Sequence, residues 1–173
     1  KSGSLIYYKN AGGRYWRQVK SFPTYFRSAT SNTTSTEKSF GVKKDFLPSI
    51  VCTLSSSLFY MFWRIVSNCR HLTSREFDAF RVYNQLPQDK AIQELFVKFE
   101  KSLDENKQRS ITTSKQSGEI QQDFYFIKLS KPIIDEIDKV LAKHYGFTEE
   151  ELDFIINYDI KYRMGDELNA DEE

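Results

Sequence analysis

Two carboxylates and a lysine in this chain stand in an order that could do chemistry. Pro132-Ile133-Ile134-Asp135, followed by Asp159-Ile160-Lys161, spells the acid, acid, lysine order with which many nucleases hold a divalent cation. Such a set could bind Mg²⁺ and activate a water. The surrounding pattern argues against it: Asp135 follows Pro132 in the first turn of a helix, where an acid is favoured by the helix dipole, and a metal site of this kind calls for strands. His71 and His144 fall in different segments, so they form no pair. His144 reads as structural or solvated; His71 follows Arg70 and could touch a phosphate. Cys52 and Cys69 make no CxxC pair and no metal-ligand cluster, and read as inert thiols of a reducing cytoplasm. GxSxG, P-loop, GxGxxG and HExxH signatures are absent from the sequence.

A second arrangement is basic and aromatic. The 173 residues carry a net charge of only +1, but unevenly. Residues 1–90 hold 14 Lys/Arg and 5 Asp/Glu, a net of +9; residues 91–173 hold 11 and 19, a net of −8. A basic half of this kind suits a polyanion. Within it, residues 4–10 (SLIYYKN) and 14–21 (RYWRQVKS) alternate aromatic with basic side chains around Ala11-Gly12-Gly13, a β-hairpin pattern. Charge for the phosphate backbone and flat or amide groups for bases are what a nucleic-acid-contacting ribbon needs. Tyr8, Lys9, Asn10, Arg14, Tyr15 and Arg17 are the candidates there. Arg64, Asn68, Arg70 and His71 form a second basic cluster. Ser56 and Ser57 stand at an expected helix start, where free N–H groups favour anions.

These groups need a scaffold. Residues 54–70 (LSSSLFYMFWRIVSNCR) form the most apolar and aromatic run of the chain. Arg64 and the serines leave fewer than the roughly 20 apolar residues of a membrane span. The run therefore predicts a core helix, 58–67, capped by Ser55–57. Pro48 predicts a short helix before it, to about Leu54. Residues 28–39 (SATSNTTSTEKS) read as a mobile surface loop, and 40–42 and 80–83 (FRVY) as short strands. Ile92, Leu95, Phe96, Phe99 and Leu103 recur at helical spacing over residues 88–106. Residues 109–115 and 119–127 predict a second hairpin. Pro132 opens a helix with Ile133, Ile134, Ile137, Val140 and Leu141 on one face, stopped by Gly146. Thr148 and Glu151 make a capping box for the next. The class is α+β: a mixed β-sheet with β-hairpins packed against several α-helices in a single domain, residues 1–165, with an acidic flexible tail at 166–173. The chain reads as a fragment of a longer protein.

Three segments resemble one family. Residues 5–17 (LIYYKNAGGRYWR), 55–72 (SSSLFYMFWRIVSNCRHL) and 131–165 (KPIIDEIDKVLAKHYGFTEEELDFIINYDIKYRMG) are similar to the C-terminal region of large bacterial adenine-specific DNA methyltransferases of the Eco57I and PglX type, from restriction–modification and phage-defence systems. The resemblance implies a target recognition domain like the TaqI-type specificity domain, reading double-stranded DNA for an enzyme that methylates the N6 of a flipped-out adenine. It implies an N-terminal methyltransferase domain of the same polypeptide as partner, S-adenosylmethionine bound there, and a cytoplasmic, bacterial, membrane-free setting. The family's Asn/Asp-Pro-Pro-Tyr/Phe tetrapeptide does not occur in these residues. The expectation for this chain is thus DNA recognition with no catalytic residue, metal or cofactor of its own. The rival readings are a protein–protein scaffold using the aromatic surface, and a Mg²⁺-dependent nuclease.

Overall fold

The apolar run at 54–70 folds as two helices rather than one, and the rest of the chain is arranged around their joint. In this computed structural model the described residues are 3–11, 19–27, 30–32, 36–82, 85–114, 118–160 and 163. Helix α1 (Leu47–Ser55) starts at Pro48, whose fixed φ suits a first turn, and buries Val51, Cys52 and Leu54. Ser56 then adopts extended backbone (φ −71°, ψ 158°), and α2 (Ser57–Val66) leaves at 65° to the helical run before it. Serine favours this break because its hydroxyl serves both sides: Ser56 Oγ donates to Thr53 O (2.6 Å) and accepts from Phe59 N (3.0 Å). Leu58, Phe59, Tyr60 and Trp63 are buried, but Ile65 is 68% exposed at the far end of α2. The run is therefore amphipathic where the sequence predicted burial all round.

The strands form two antiparallel sheets, the first of which packs on α1. The first has order β2-β1-β5, from β1 (Gly3–Lys9), β2 (Val19–Lys20) and β5 (Glu37–Lys43). Its β1–β2 register, Tyr7 opposite Lys20 and Tyr8 opposite Val19, is that of the base of the expected hairpin. The hairpin's turn beyond Ala11, and the residues 12–18 that follow, lie outside the described residues. The second sheet has order β4-β3-β7-β6, from β3 (Tyr25–Arg27), β4 (Thr30–Asn32), β6 (Gln108–Ser114) and β7 (Gly118–Phe124). The class is α+β, as expected, with the strands divided between two antiparallel sheets rather than joined in one mixed sheet. The segment expected to be a mobile Ser/Thr loop instead supplies β4 and the start of β5.

The remaining helices follow their patterns. Helix α4 (Lys90–Glu105) buries Ile92, Leu95, Phe99 and Leu103. Helix α5 (Lys131–Tyr145) buries Ile134, Ile137 and Leu141, and ends at Gly146 in the left-handed region (φ 75°), which glycine adopts without a Cβ clash. Helix α6 (Glu149–Asn157) begins with the Thr148–Glu151 capping box. One expectation fails between α2 and α4. Residues 80–82 form no strand; Phe80 instead packs edge-on against Phe59 (5.1 Å) and Phe62 (5.0 Å). A helix, α3 (Ser74–Ala79), precedes it, opened by a second capping box between Thr73 and Glu76. The side chains of the first sheet and of α1, α2 and α4–α6 meet in one core, which Phe22 and Tyr125, just outside the second sheet, also join. No single helix among the described residues is long and apolar enough to cross a membrane.

Candidate nucleic-acid interface

Residues 67–72, the turn that follows α2, carry most of the exposed candidates. Ser67 ends α2 in extended backbone, and its Oγ accepts from Cys69 N (3.0 Å). Cys69 takes a left-handed φ of 59°, and its thiol lies 3.5 Å from the Arg64 carbonyl. Asn68 Oδ1 then accepts from both Arg70 N (3.0 Å) and His71 N (3.3 Å). Short polar side chains that bond the backbone just ahead build tight turns. The result is a compact loop with Asn68, Arg70 and His71 exposed. It is pinned from below by buried Leu72, and Trp63 Nε1 donates to the His71 carbonyl (3.2 Å).

This loop is tied to the first sheet. Leu72 N donates to the Asn10 carbonyl (2.9 Å), and Asn10 N donates to the Thr36 carbonyl (2.8 Å). The end of β1, the entry to β5 and the turn after α2 thus converge, bringing Asn10 to the turn that carries Asn68, Arg70 and His71. The two groups are far apart in sequence. Asn10 is half-buried; its Oδ1 is buried and makes no hydrogen bond among the described residues. One polar atom of that amide is then left for a base edge, not the two that an amide–adenine pair uses. Lys9 is half-buried opposite Glu37 in the β1–β5 register. It borders a cavity of about 50 Å³ together with Glu37, Gln122 and Asp123.

Other candidates are turned inward. Tyr8 is 8% exposed and packs edge-on against Phe77 (4.9 Å); burial, with Glu76 nearby, raises its hydroxyl pKa. β-Strand alternation puts Tyr8 on the face with Ile6, which is the core face. Ser56 and Ser57 are fully buried. Ser56 is the α1–α2 cap. Ser57 N and Leu58 N, the amides expected to meet an external anion, donate to the Asp138 carboxylate at 3.1 and 3.2 Å. The anion at the α2 N-terminus is the chain's own. Arg163 completes the cluster: its Nη2 donates to Ser57 Oγ (3.2 Å), and its guanidinium lies 4.7 Å from the Tyr60 ring centroid. Burial pushes the Asp138 carboxyl up to about 6, against the pull of the Ser57 and Leu58 hydrogen bonds and of Arg163. Neither Asp138 nor Arg163 was singled out by sequence reasoning. The one signal for Asp138 is an acid on the helix face that also carries Ile134, Ile137 and Leu141.

Arg64 is partly committed. It pairs with Asp159 (3.5 Å), which also accepts from the Tyr60 hydroxyl (2.8 Å). That arrangement also occupies the second acid of the nuclease-like pattern. Asp135 lies within α5 and is bound by Lys131 one turn before it; Lys161 lies outside the described residues. Among the described residues no group of three or more His, Cys, Asp or Glu could hold a metal ion. His144 is structural: its Nε2 sits 2.6 Å from Asp89, the residue whose carboxylate caps α4. Cys52 is buried, which raises its thiol pKa; Cys69 is half-buried. Arg14, Tyr15 and Arg17 lie outside the described residues. Chemically, the exposed surface offers cationic and amide donors. Comparison with protein-family models, with curated proteins and with solved structures gives no significant match to this chain.

Proposed function

We propose that this chain is a sequence-specific double-stranded DNA-binding module, the target recognition part of an adenine-N6 DNA methyltransferase. The observation that carries the reading is the 2.9 Å hydrogen bond from Leu72 N to the Asn10 carbonyl. It ties two of the three family-like segments together in the basic half, where Asn68, Arg70 and His71 are exposed and Asn10 is half-buried. Arg70 supplies charge for phosphates, His71 an exposed ring, and Asn68 and Asn10 their amide nitrogens as donors. Residues 14–17, which bring Arg14, Tyr15 and Arg17, follow Asn10 closely in the chain. Methyl transfer itself, with S-adenosylmethionine, is assigned to a separate methyltransferase domain of the parent enzyme.

The test is salt-dependent binding to a random-sequence duplex. Neutralised phosphates release counterions, so affinity should fall by orders of magnitude between roughly 50 and 200 mM salt. Arg70→Ala should weaken binding and lower the slope of log affinity against log salt by about 1. Binding that is indifferent to salt, or a slope unchanged in Arg70→Ala, would remove the interface assigned here.

A further inference from the structure

A second surface is of the opposite character. An apolar groove opens between α2 and α6, lined by Met61, Phe147, Phe154 and Ile155, with Glu150 and Glu151 on its rim. Its volume is about 330 Å³. Phe154 is 61% exposed, and Ile65 lies one helical turn beyond Met61 on α2, also in solvent.

The acids alone have an internal explanation. Glu149, Glu150 and Glu151 occupy the first turn of α6, where the helix dipole favours carboxylates, and Glu151 also closes the Thr148 capping box. That account does not extend to Phe154, which meets the Tyr158 ring edge-on (5.7 Å) yet stays mostly exposed beside a hollow. Residues 147–157 carry Glu149, Glu150, Glu151 and Asp153 and no Lys or Arg. The α6 side of the rim therefore repels phosphate and selects a cationic occupant, while the floor selects a large apolar side chain.

We propose that the α2–α6 groove docks a basic amphipathic helix of another polypeptide, which buries a large apolar side chain against Met61 and Phe154 and sets Lys or Arg against Glu150. Such helix-in-groove recognition reads apolar anchors spaced along one helical face. The inference does not depend on the DNA reading: either can fail while the other stands.

The probe is a fluorescein-labelled amphipathic Leu/Lys peptide of about 14 residues, long enough to form a helix on binding. Its control is a Leu/Glu peptide of the same apolar pattern, and anisotropy at physiological salt is the readout. Saturable binding of the Leu/Lys peptide, with the Leu/Glu peptide about tenfold weaker or worse, is the expected result. Phe154→Ala should weaken binding by about tenfold, the factor that follows from losing most of one buried ring. Glu150→Lys should weaken it by a similar factor, while Val97→Ser, at an exposed site on α4, should leave it unchanged. Both groove positions are exposed, so each variant is read only with a wild-type far-UV circular dichroism spectrum, and the two report independently. Equal affinity for the two peptides, or wild-type affinity in both groove variants, overturns the proposal. So does saturation by dodecyltrimethylammonium without peptide binding, which would make the occupant a small amphiphilic cation.

Discussion

Asp138 stands where an external anion was expected, and its titration is the clearest consequence at the scale of single residues. Its carboxyl moves from an ordinary 3.8 up to about 6, because burial penalises the charged form more than the Ser57 and Leu58 amides and Arg163 favour it. A folded-state pKa above the unfolded value means that the native state binds the proton more tightly. The contribution of this group to stability is therefore greatest below about pH 4 and is lost as pH rises through about 6. A rise of that size corresponds to on the order of 3 kcal/mol. Asp123, held low by Arg109, and Asp89, held low by His144, act in the opposite sense, so the whole-protein curve does not isolate the effect. Comparison with Asp138→Asn does. In urea unfolding, wild type should gain stability relative to the variant between pH 7 and pH 4.5. A difference that stays constant across that range would show that Asp138 is not titrating there.

Among the elements, the α1–α2 joint tests how much one serine does. Ser56 Oγ makes two buried hydrogen bonds, one to each helix. Ser56→Ala should cost about 1–2 kcal/mol in urea unfolding, and a loss of only a few tenths would mean that packing alone fixes the bend. The joint also shows what was legible in the sequence. Helices with a clear apolar period and a stop signal, α4, α5 and α6, could be drawn from Ile92 to Ile155 with little error, because local rules fix them. The Ser56 cap was visible too. The break it makes was not, since nothing local says that the chain turns by 65° there. Helix α3 was legible in principle: Thr73 and Glu76 carry the same capping pattern that revealed α6 at Thr148 and Glu151. Phe80 and Val82 looked like a strand because alternation over four residues does not distinguish a strand from an aromatic plug. For the candidate interface, residue type picked out Asn68, Arg70 and His71, which the fold leaves exposed. Type could not tell that Tyr8, Ser56 and Ser57 face inward, because burial there is decided by Phe77, Asp138 and Arg163, which come from elsewhere in the chain.

Across the whole molecule, the two sheets are joined through a linker, residues 21–24, that carboxylates hold from several sides. Glu100 of α4 accepts from Ser21 N (2.6 Å) and Ser21 Oγ (2.5 Å). Glu37 of β5 accepts from Thr24 N (3.0 Å), from the Thr24 hydroxyl and from Lys20 Nζ (3.0 Å). Asp123 of β7 donates its own N–H to the Thr24 carbonyl (2.9 Å). Lys20 is fully buried, and its ammonium also lies over the Tyr125 ring (5.1 Å), so one side chain reaches from the first sheet to the segment that leaves the second. Burial lowers the Lys20 pKa, and Glu37 opposes that shift. A buried pair of this kind is held less by its attraction than by the penalty of leaving one member alone. Lys20→Met should therefore destabilise the chain by about 3 kcal/mol or more, because Glu37 loses the buried ammonium that donates to it. Lys20→Met with Glu37→Gln should recover part of that loss, since the second change replaces the buried carboxylate by a neutral amide whose oxygen still accepts from Thr24. A double-mutant cycle in urea unfolding reads the coupling directly. If the double variant is less stable than Lys20→Met by the full cost of Glu37→Gln measured alone, the two residues are independent, and the linker is held by its other contacts instead.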